Sequence, residues 1–124
     1  MAVVAGSEIT YLLKQWVFIW KKYIYFVLMY TLQTILKILR QHKPELQQKY
    51  PISRLGVFGS YARGDATEKS DVDIVVEFSA PMGLNFVAMA NEIEELLGIK
   101  TDVVSRGGIK TKYLPYVEKD IVYV

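Results

Sequence analysis

At 124 residues the chain has room for one domain with a modest core, and a hydrophobic fraction of 52% is ample for a globular fold. It has no cysteine, which excludes disulfides and thiolate metal sites and agrees with a cytoplasmic protein. A net charge of +2 does not by itself argue for nucleic acid, and neither length nor composition supplies the basic channel or duplex-gripping domains of a template-dependent polymerase.

Residues 1–28 stand apart. Ile9 to Tyr30 is rich in Trp, Tyr, Phe, Val and Leu yet interrupted by Lys14, Lys21 and Lys22. A membrane span wants roughly 18 consecutive apolar residues. The charge-free run from Tyr23 reaches only to Lys37 and contains Thr31, Gln33 and Thr34, so no transmembrane helix is expected. No Lys or Arg precedes Lys14 and no small-residue cleavage site follows, which argues against a secretory signal. Two readings stay open for this hydrophobic extension: an extra helix that packs on the domain or a partner, or upstream sequence ahead of a start at Met29. The folded domain is expected to span 29–124.

From Thr31 a helical period emerges, with Leu32, Ile35, Leu36 and Leu39 on one stripe and Gln33, Lys37 and Arg40 off it. Pro44 is expected to open a further helical turn through Gln48, and Pro51 to end the segment. His42, the only histidine, is expected to be exposed near this junction. Leu55-Gly56-Val57-Phe58 then suits a buried strand. It runs into Gly59-Ser60, where a missing side chain and a small hydroxyl let a phosphate approach the backbone. Ser60 to Arg63 reads as one helical turn aiming N–H groups at an anion. Arg63 has two readings: contact with triphosphate oxygens, or neutralisation of Asp65 and Glu68. Gly64 to Lys69 is a polar loop.

Asp71-x-Asp73 opens the next strand. Side chains at i and i+2 share a face, so Asp71 and Asp73 point one way while Val72, Ile74, Val76 and Phe78 point the other. Two carboxylates about 7 Å apart along a strand can converge on hard cations such as Mg²⁺. A metal pair roughly 3.5–4 Å apart stabilises both the attacking and the leaving oxygen in nucleotidyl transfer. Glu77 lies on the same face and reads as a strand-end carboxylate. Ala80 to Gly83 makes a turn. Leu84 to Leu97 forms a second amphipathic helix, with Phe86, Ala90, Ile93 and Leu97 on one side, Glu92, Glu94 and Glu95 solvated, and Gly98 as the stop. Lys100 to Val104 is a short strand carrying Asp102. Arg106-Gly107-Gly108 is a turn beside Lys110 and Lys112, either plain surface or facing a nucleotide or acidic partner. Leu114, Val117 and Ile121 suggest a short closing helix before Val122-Tyr123-Val124.

Gly59-Ser60, ten further residues and Asp71-x-Asp73 together resemble the nucleotidyltransferases of the DNA polymerase β superfamily. More narrowly, the chain resembles the minimal nucleotidyltransferase (MNT) domains that serve as antitoxins to HEPN ribonuclease toxins. The likeness runs from about Leu32 to the C-terminus. It implies an α/β (α+β) nucleotidyltransferase fold: a small mixed sheet carrying the carboxylates, with helices packed on its other face. Asp71, Asp73 and, as third carboxylate, Asp102 would be the catalytic metal ligands for two Mg²⁺ ions. Gly59 and Ser60 would seat the β/γ phosphates, and Arg63 would hold charge on the departing pyrophosphate. The resemblance further implies ATP as AMP donor, a tyrosine of a cognate HEPN toxin as acceptor, a hetero-oligomer with that toxin, and no template nucleic acid. Spacing and periodicity show neither donor base nor acceptor. Two other readings compete: an antitoxin acting by stoichiometric binding, using its exposed aromatics and hydrophobic N-terminal segment, and an aminoglycoside-type small-molecule transferase, which would need an acceptor domain the chain lacks.

Overall fold

The computed structural model describes residues 2–29 and 31–124, with side chains for 8–23 and 31–124. It divides into two compact units, Met1–Thr31 and Leu32–Val124. The first is one helix, α1 (Ala2–Met29), whose described side chains from Glu8 to Tyr23 are all exposed. Trp20 and Tyr23 meet edge to face, with ring centroids 6.4 Å apart. No described helix is long and apolar enough to cross a membrane. The side chain of Met29, and Tyr30 itself, lie outside the described residues.

The second unit is a mixed α/β fold in the order α2 (Leu32–Lys49), β1 (Ile52–Phe58), α3 (Gly59–Arg63), β2 (Val72–Phe78), α4 (Asn85–Leu97), β3 (Thr101–Ser105), α5 (Leu114–Asp120) and β4 (Val122–Tyr123). A single 3-10 turn, Arg106–Gly108, follows β3. The sheet order is β3-β2-β1-β4. β1 runs antiparallel to both β2 and β4, and β2 pairs in parallel with β3. A parallel pair requires a crossover, and α4 supplies it.

Strand alternation builds the core. Val72, Ile74 and Val76 point to one face and are fully buried, as are Leu55 and Val57 opposite them on β1. Ile35, Leu36, Leu39 and Leu46 of α2 and Met89, Ile93 and Leu97 of α4 are buried with them, α2 packing on β1 and α4 on β3. Met89, absent from the expected stripe, is completely buried, while Phe86 and Ala90 are only half-covered and Phe86 meets Phe78 edge-on.

Two expectations are corrected. α2 does not restart at Pro44 but runs through it as one helix. Leu39 and Leu46, seven residues apart, lie on the same stripe and are both buried, so the core holds the turns on either side of the proline in one axis. His42 is therefore inside a helix, its Nδ1 3.5 Å from Glu45. Glu92 is not simply solvated: its carboxylate accepts from Lys49 Nζ (2.6 Å) and Tyr50 Oη (2.9 Å), tying the end of α2 to α4. The Lys49 bond, then the Tyr50 bond, hold its carboxyl below the usual glutamate range. The expected closing helix is present as α5, and Val122–Tyr123 after it form a sheet strand. β4 pairs beside Gly56, where a Cβ would stand 2.9 Å from Ile121 Cγ2 and 3.0 Å from the Tyr123 ring, so the missing side chain admits the strand.

Leu39→Ala is expected to lower the unfolding free energy by about 2–5 kcal/mol, because it opens a cavity where α2 meets the core. Urea denaturation measures it; a change below about 0.5 kcal/mol, the range of ordinary surface substitutions, would contradict this packing.

Candidate active site

The register of β2 against its neighbours sets the acidic edge. Asp73 lies directly opposite Asp102 on β3 and opposite Phe58 on β1. Asp71 immediately precedes β2, with Lys100 Nζ 3.8 Å from its Oδ2. Asp73 is half-buried and Asp102 exposed. The Asp73 carboxyl is pushed above the ordinary aspartate value, first by burial, then by the negative charges of Asp102 and Asp71, with Arg63 pulling the other way. Three carboxylates on one edge, one of them resisting ionisation, are a donor set short of positive charge. Among the described residues no three His, Cys, Asp or Glu side chains close around a metal ion. An open acidic edge suits Mg²⁺, which keeps several waters and binds through one or two carboxylates plus substrate phosphates.

Gly59 brings the phosphate turn onto this edge. Its φ is +71°, and a Cβ there would lie 2.1 Å from Asp73 Oδ2. Only glycine allows both the left-handed backbone and the approach. The expected turn is α3, which Tyr61, buried at 3% exposure, anchors to the core. Gly64, with φ +83°, stops it, and the Ser60 carbonyl accepts from the N–H groups of Gly64 and Asp65, each at 3.0 Å. Ser60 is partly exposed. Arg63 donates to Asp65 (3.2 Å) and to Asp120 on α5 (3.3 Å), so the neutralising role is the one seen, with Asp120 in place of Glu68.

The acidic face is not open along its whole length. Val75, which shares it with Asp73, is fully buried. β2 touches the 3-10 turn, and β1 touches α5. Glu77 accepts ion pairs from Arg54 Nε (3.4 Å) and Arg106 Nη1 (3.5 Å), and Arg106 also bonds Glu118. Arg54 stacks 3.6 Å from the centre of the Tyr123 ring. Arg106, read from sequence as part of a surface turn or of a cluster facing a nucleotide or an acidic partner, lies in the expected turn and pairs within this network. Its partners lie 29 and 12 residues away, beyond any local spacing rule. Lys69 is exposed, as expected of a loop lysine.

A cleft of about 370 Å³ opens beside the phosphate turn, lined by Phe58, Gly59, Arg63, Tyr116, Lys119 and Asp120 among others. A larger one, about 450 Å³, lies away from the Asp73–Gly59 contact between the end of α4 and Lys100, and Glu94 and Glu95 in its lining oppose a polyanion.

A glycine turn pressed onto an acidic strand edge is the arrangement of a nucleotidyltransferase. Residues 39–123 match the nucleotidyltransferase domain family, and the chain belongs to that family. It is 46% identical over 98 residues to a Methanocaldococcus jannaschii protein that carries the provisional name protein adenylyltransferase, covering 77% of this chain and all of that one. It is 42% identical over 97 residues to the protein adenylyltransferase MntA of Thermococcus cleftensis, covering 77% of this chain and 98% of the relative. A solved structure provisionally described as a minimal nucleotidyltransferase superposes with a TM-score of 0.63 at 32% identity, covering 75% of this chain and 95% of the other. The MntA–HpeT toxin–antitoxin crystal structure shares the fold, with a TM-score of 0.55 at 20% identity over 76% of this chain and 72% of that one. The fold and enzyme class implied by the Gly59-to-Asp73 motif are the ones found.

The raised Asp73 carboxyl makes a stability prediction whose sign follows from linkage. A carboxyl with its folded pKa above the unfolded value penalises the folded state wherever it is ionised, and the penalty is relieved as pH falls through the folded pKa. Asp73→Asn removes the penalty. It is expected to raise Tm at neutral pH in metal-free buffer, with the advantage shrinking on acidification. Thermal melts across that range test this; a lower Tm at neutral pH would show that the carboxylate is instead favourably held.

Proposed function

We propose that this nucleotidyltransferase is an antitoxin that transfers AMP from ATP to a tyrosine hydroxyl of a cognate HEPN ribonuclease toxin, with which it forms a hetero-oligomer in the cytoplasm. The observation that carries the reading is the contact between the Gly59 backbone and the Asp73 carboxylate, which sets a phosphate-sized approach next to three carboxylates. The relatives named protein adenylyltransferase support a protein acceptor.

Asp71, Asp73 and Asp102 would hold two Mg²⁺ ions, which when bound supply charge neutralisation for a triphosphate and make an acceptor hydroxyl easier to deprotonate. The chain's own groups do the rest. Gly59 and Ser60 let the β/γ phosphates lie against the backbone, because no side chain intervenes. Arg63, once released from Asp65 and Asp120, offers a planar guanidinium to phosphate oxygens. The acceptor hydroxyl gives its proton to water, its oxygen attacks the α-phosphorus in line, the bond to pyrophosphate breaks, and the departing charge meets Arg63. Asp102, exposed on the outer side of Asp73, leaves that flank open to a large acceptor such as a folded protein.

A second reading, neutralisation by binding alone, is favoured by one observation. α1 exposes Trp16 (60%), Phe18 (68%) and Trp20 (54%), aromatics suited to an interface. We further propose that residues 29–124 form the catalytic domain, and that a chain trimmed to them keeps transfer activity; an inactive but folded trimmed chain would assign α1 to the reaction.

The test of the main reading is intact mass spectrometry after mixing the protein with the product of its adjoining gene, Mg²⁺ and each nucleoside triphosphate in turn. One or more AMP units are expected on the partner with ATP. The gain should disappear in Asp71→Asn and Asp73→Asn, which lie off the apolar face, and in Gly59→Ala, whose Cβ would strike Asp73. A stable complex with no mass change would instead support binding alone.

A further inference from the structure

The cleft beside Gly59 contains a cation that the proposed mechanism does not use. Lys119, near the end of α5, lines it together with Arg63. Lys119 is exposed and has no ion-pair partner among the described residues, whereas Arg63 is held by two carboxylates, Asp65 at 3.2 Å and Asp120 at 3.3 Å. The two cations come from separate elements, Arg63 from the α3 phosphate turn and Lys119 from the closing helix α5. Asp120, adjacent in sequence to Lys119, is the only carboxylate among the described residues that line the cleft. Gly59, which lines the cleft, also stands against Asp73, so the cleft adjoins the acidic edge.

We propose that Arg63 and Lys119 form a two-sided clamp for the terminal phosphates of the nucleotide and for the pyrophosphate that leaves, and that Asp120 is the internal anion that occupies Arg63 until a polyphosphate displaces it. The inference rests on the nucleotidyl-transfer reading and deepens it by adding a binding residue and its counter-ion. The charges decide between possible occupants. Arg63 is already balanced by Asp65 and Asp120, which leaves Lys119 as the lining cation free to meet the negative charges that a polyphosphate brings. A guanidinium already paired with Asp120 exchanges one oxyanion for another and keeps its hydrogen bonds. Tyr116, 75% exposed in the same lining, makes an adenine ring the rival occupant.

Calorimetric titration of the full chain in metal-free buffer with inorganic tripolyphosphate, ATP and adenosine separates these outcomes. Lys119→Met is expected to weaken tripolyphosphate and ATP alike, by about tenfold, as for the loss of one hydrogen bond to a charged group. Lys119→Arg should restore most of the affinity. Asp120→Asn should tighten both by a few fold, and a thermal melt of each variant confirms that it is folded. Unchanged affinities in Lys119→Met would overturn the clamp. So would a loss confined to ATP and adenosine, which would assign the cleft to the base. If the unsubstituted protein binds neither ATP nor tripolyphosphate, with or without Mg²⁺, the nucleotidyl-transfer reading itself fails; binding of both with Lys119→Met unaffected sinks only the clamp.

Discussion

Everything in the site depends on one close approach, the Gly59 backbone against the Asp73 carboxylate. A Cβ at Gly59 would stand 2.1 Å from Asp73 Oδ2, so the end of β1 and the start of β2 are locked in a register that no other residue permits. The contact is held from both sides. Val57 and Ile74, which flank it in the antiparallel pair, are completely buried on the core face, and Tyr61 buries the helix that follows. Because successive residues on a strand alternate faces, each buried Val or Ile dictates where the neighbouring Asp must point. The core therefore positions the chemistry directly, with no loop in between.

The third carboxylate arrives by topology. β2 and β3 can pair in parallel only because α4 crosses over between them, and the resulting register sets Asp73 beside Asp102. α4 is itself seated by Met89, Ile93 and Leu97 and fastened to α2 through Glu92. Like charges brought together this way repel, which is part of why Asp73 resists ionisation. That electrostatic debt is the source of the site's demand for cations, and it exists before any ligand arrives.

How much of this was legible in the sequence follows the range of the interactions. Alternation with period 2 in Val72 to Phe78 and helical period in Leu32 to Leu39 and in Leu84 to Leu97 are local signals, and the elements they predict are present. Gly59-Ser60 and Asp71-x-Asp73 were readable for the same reason, since backbone and strand geometry decide them over a few residues. Pro44 misled because a local breaker was overridden by Leu39 and Leu46, two buried anchors on the same stripe. Glu92 looked solvated on its own helix because its partners, Lys49 and Tyr50, are more than forty residues away. The Arg63–Asp120 pair spans 57 residues and could not be read from either end.

The closing segment shows what that long-range wiring does. From Lys110 to Val124 no side chain is fully buried, but Leu114, Val117 and Ile121 to Val124 are half-covered and β4 pairs with β1, so polar ties add to partial apolar packing. The two elements are held also by the opening at Gly56, by the Val124 N–H bonded to the Leu55 carbonyl, by Lys43 on the last residue's oxygen, and by ion pairs from Glu118 to Arg106 and Asp120 to Arg63. Exposed ion pairs are individually weak and are screened by salt. α5 is tied to the phosphate turn through Arg63, the side chain that a phosphate would take under the proposed clamp.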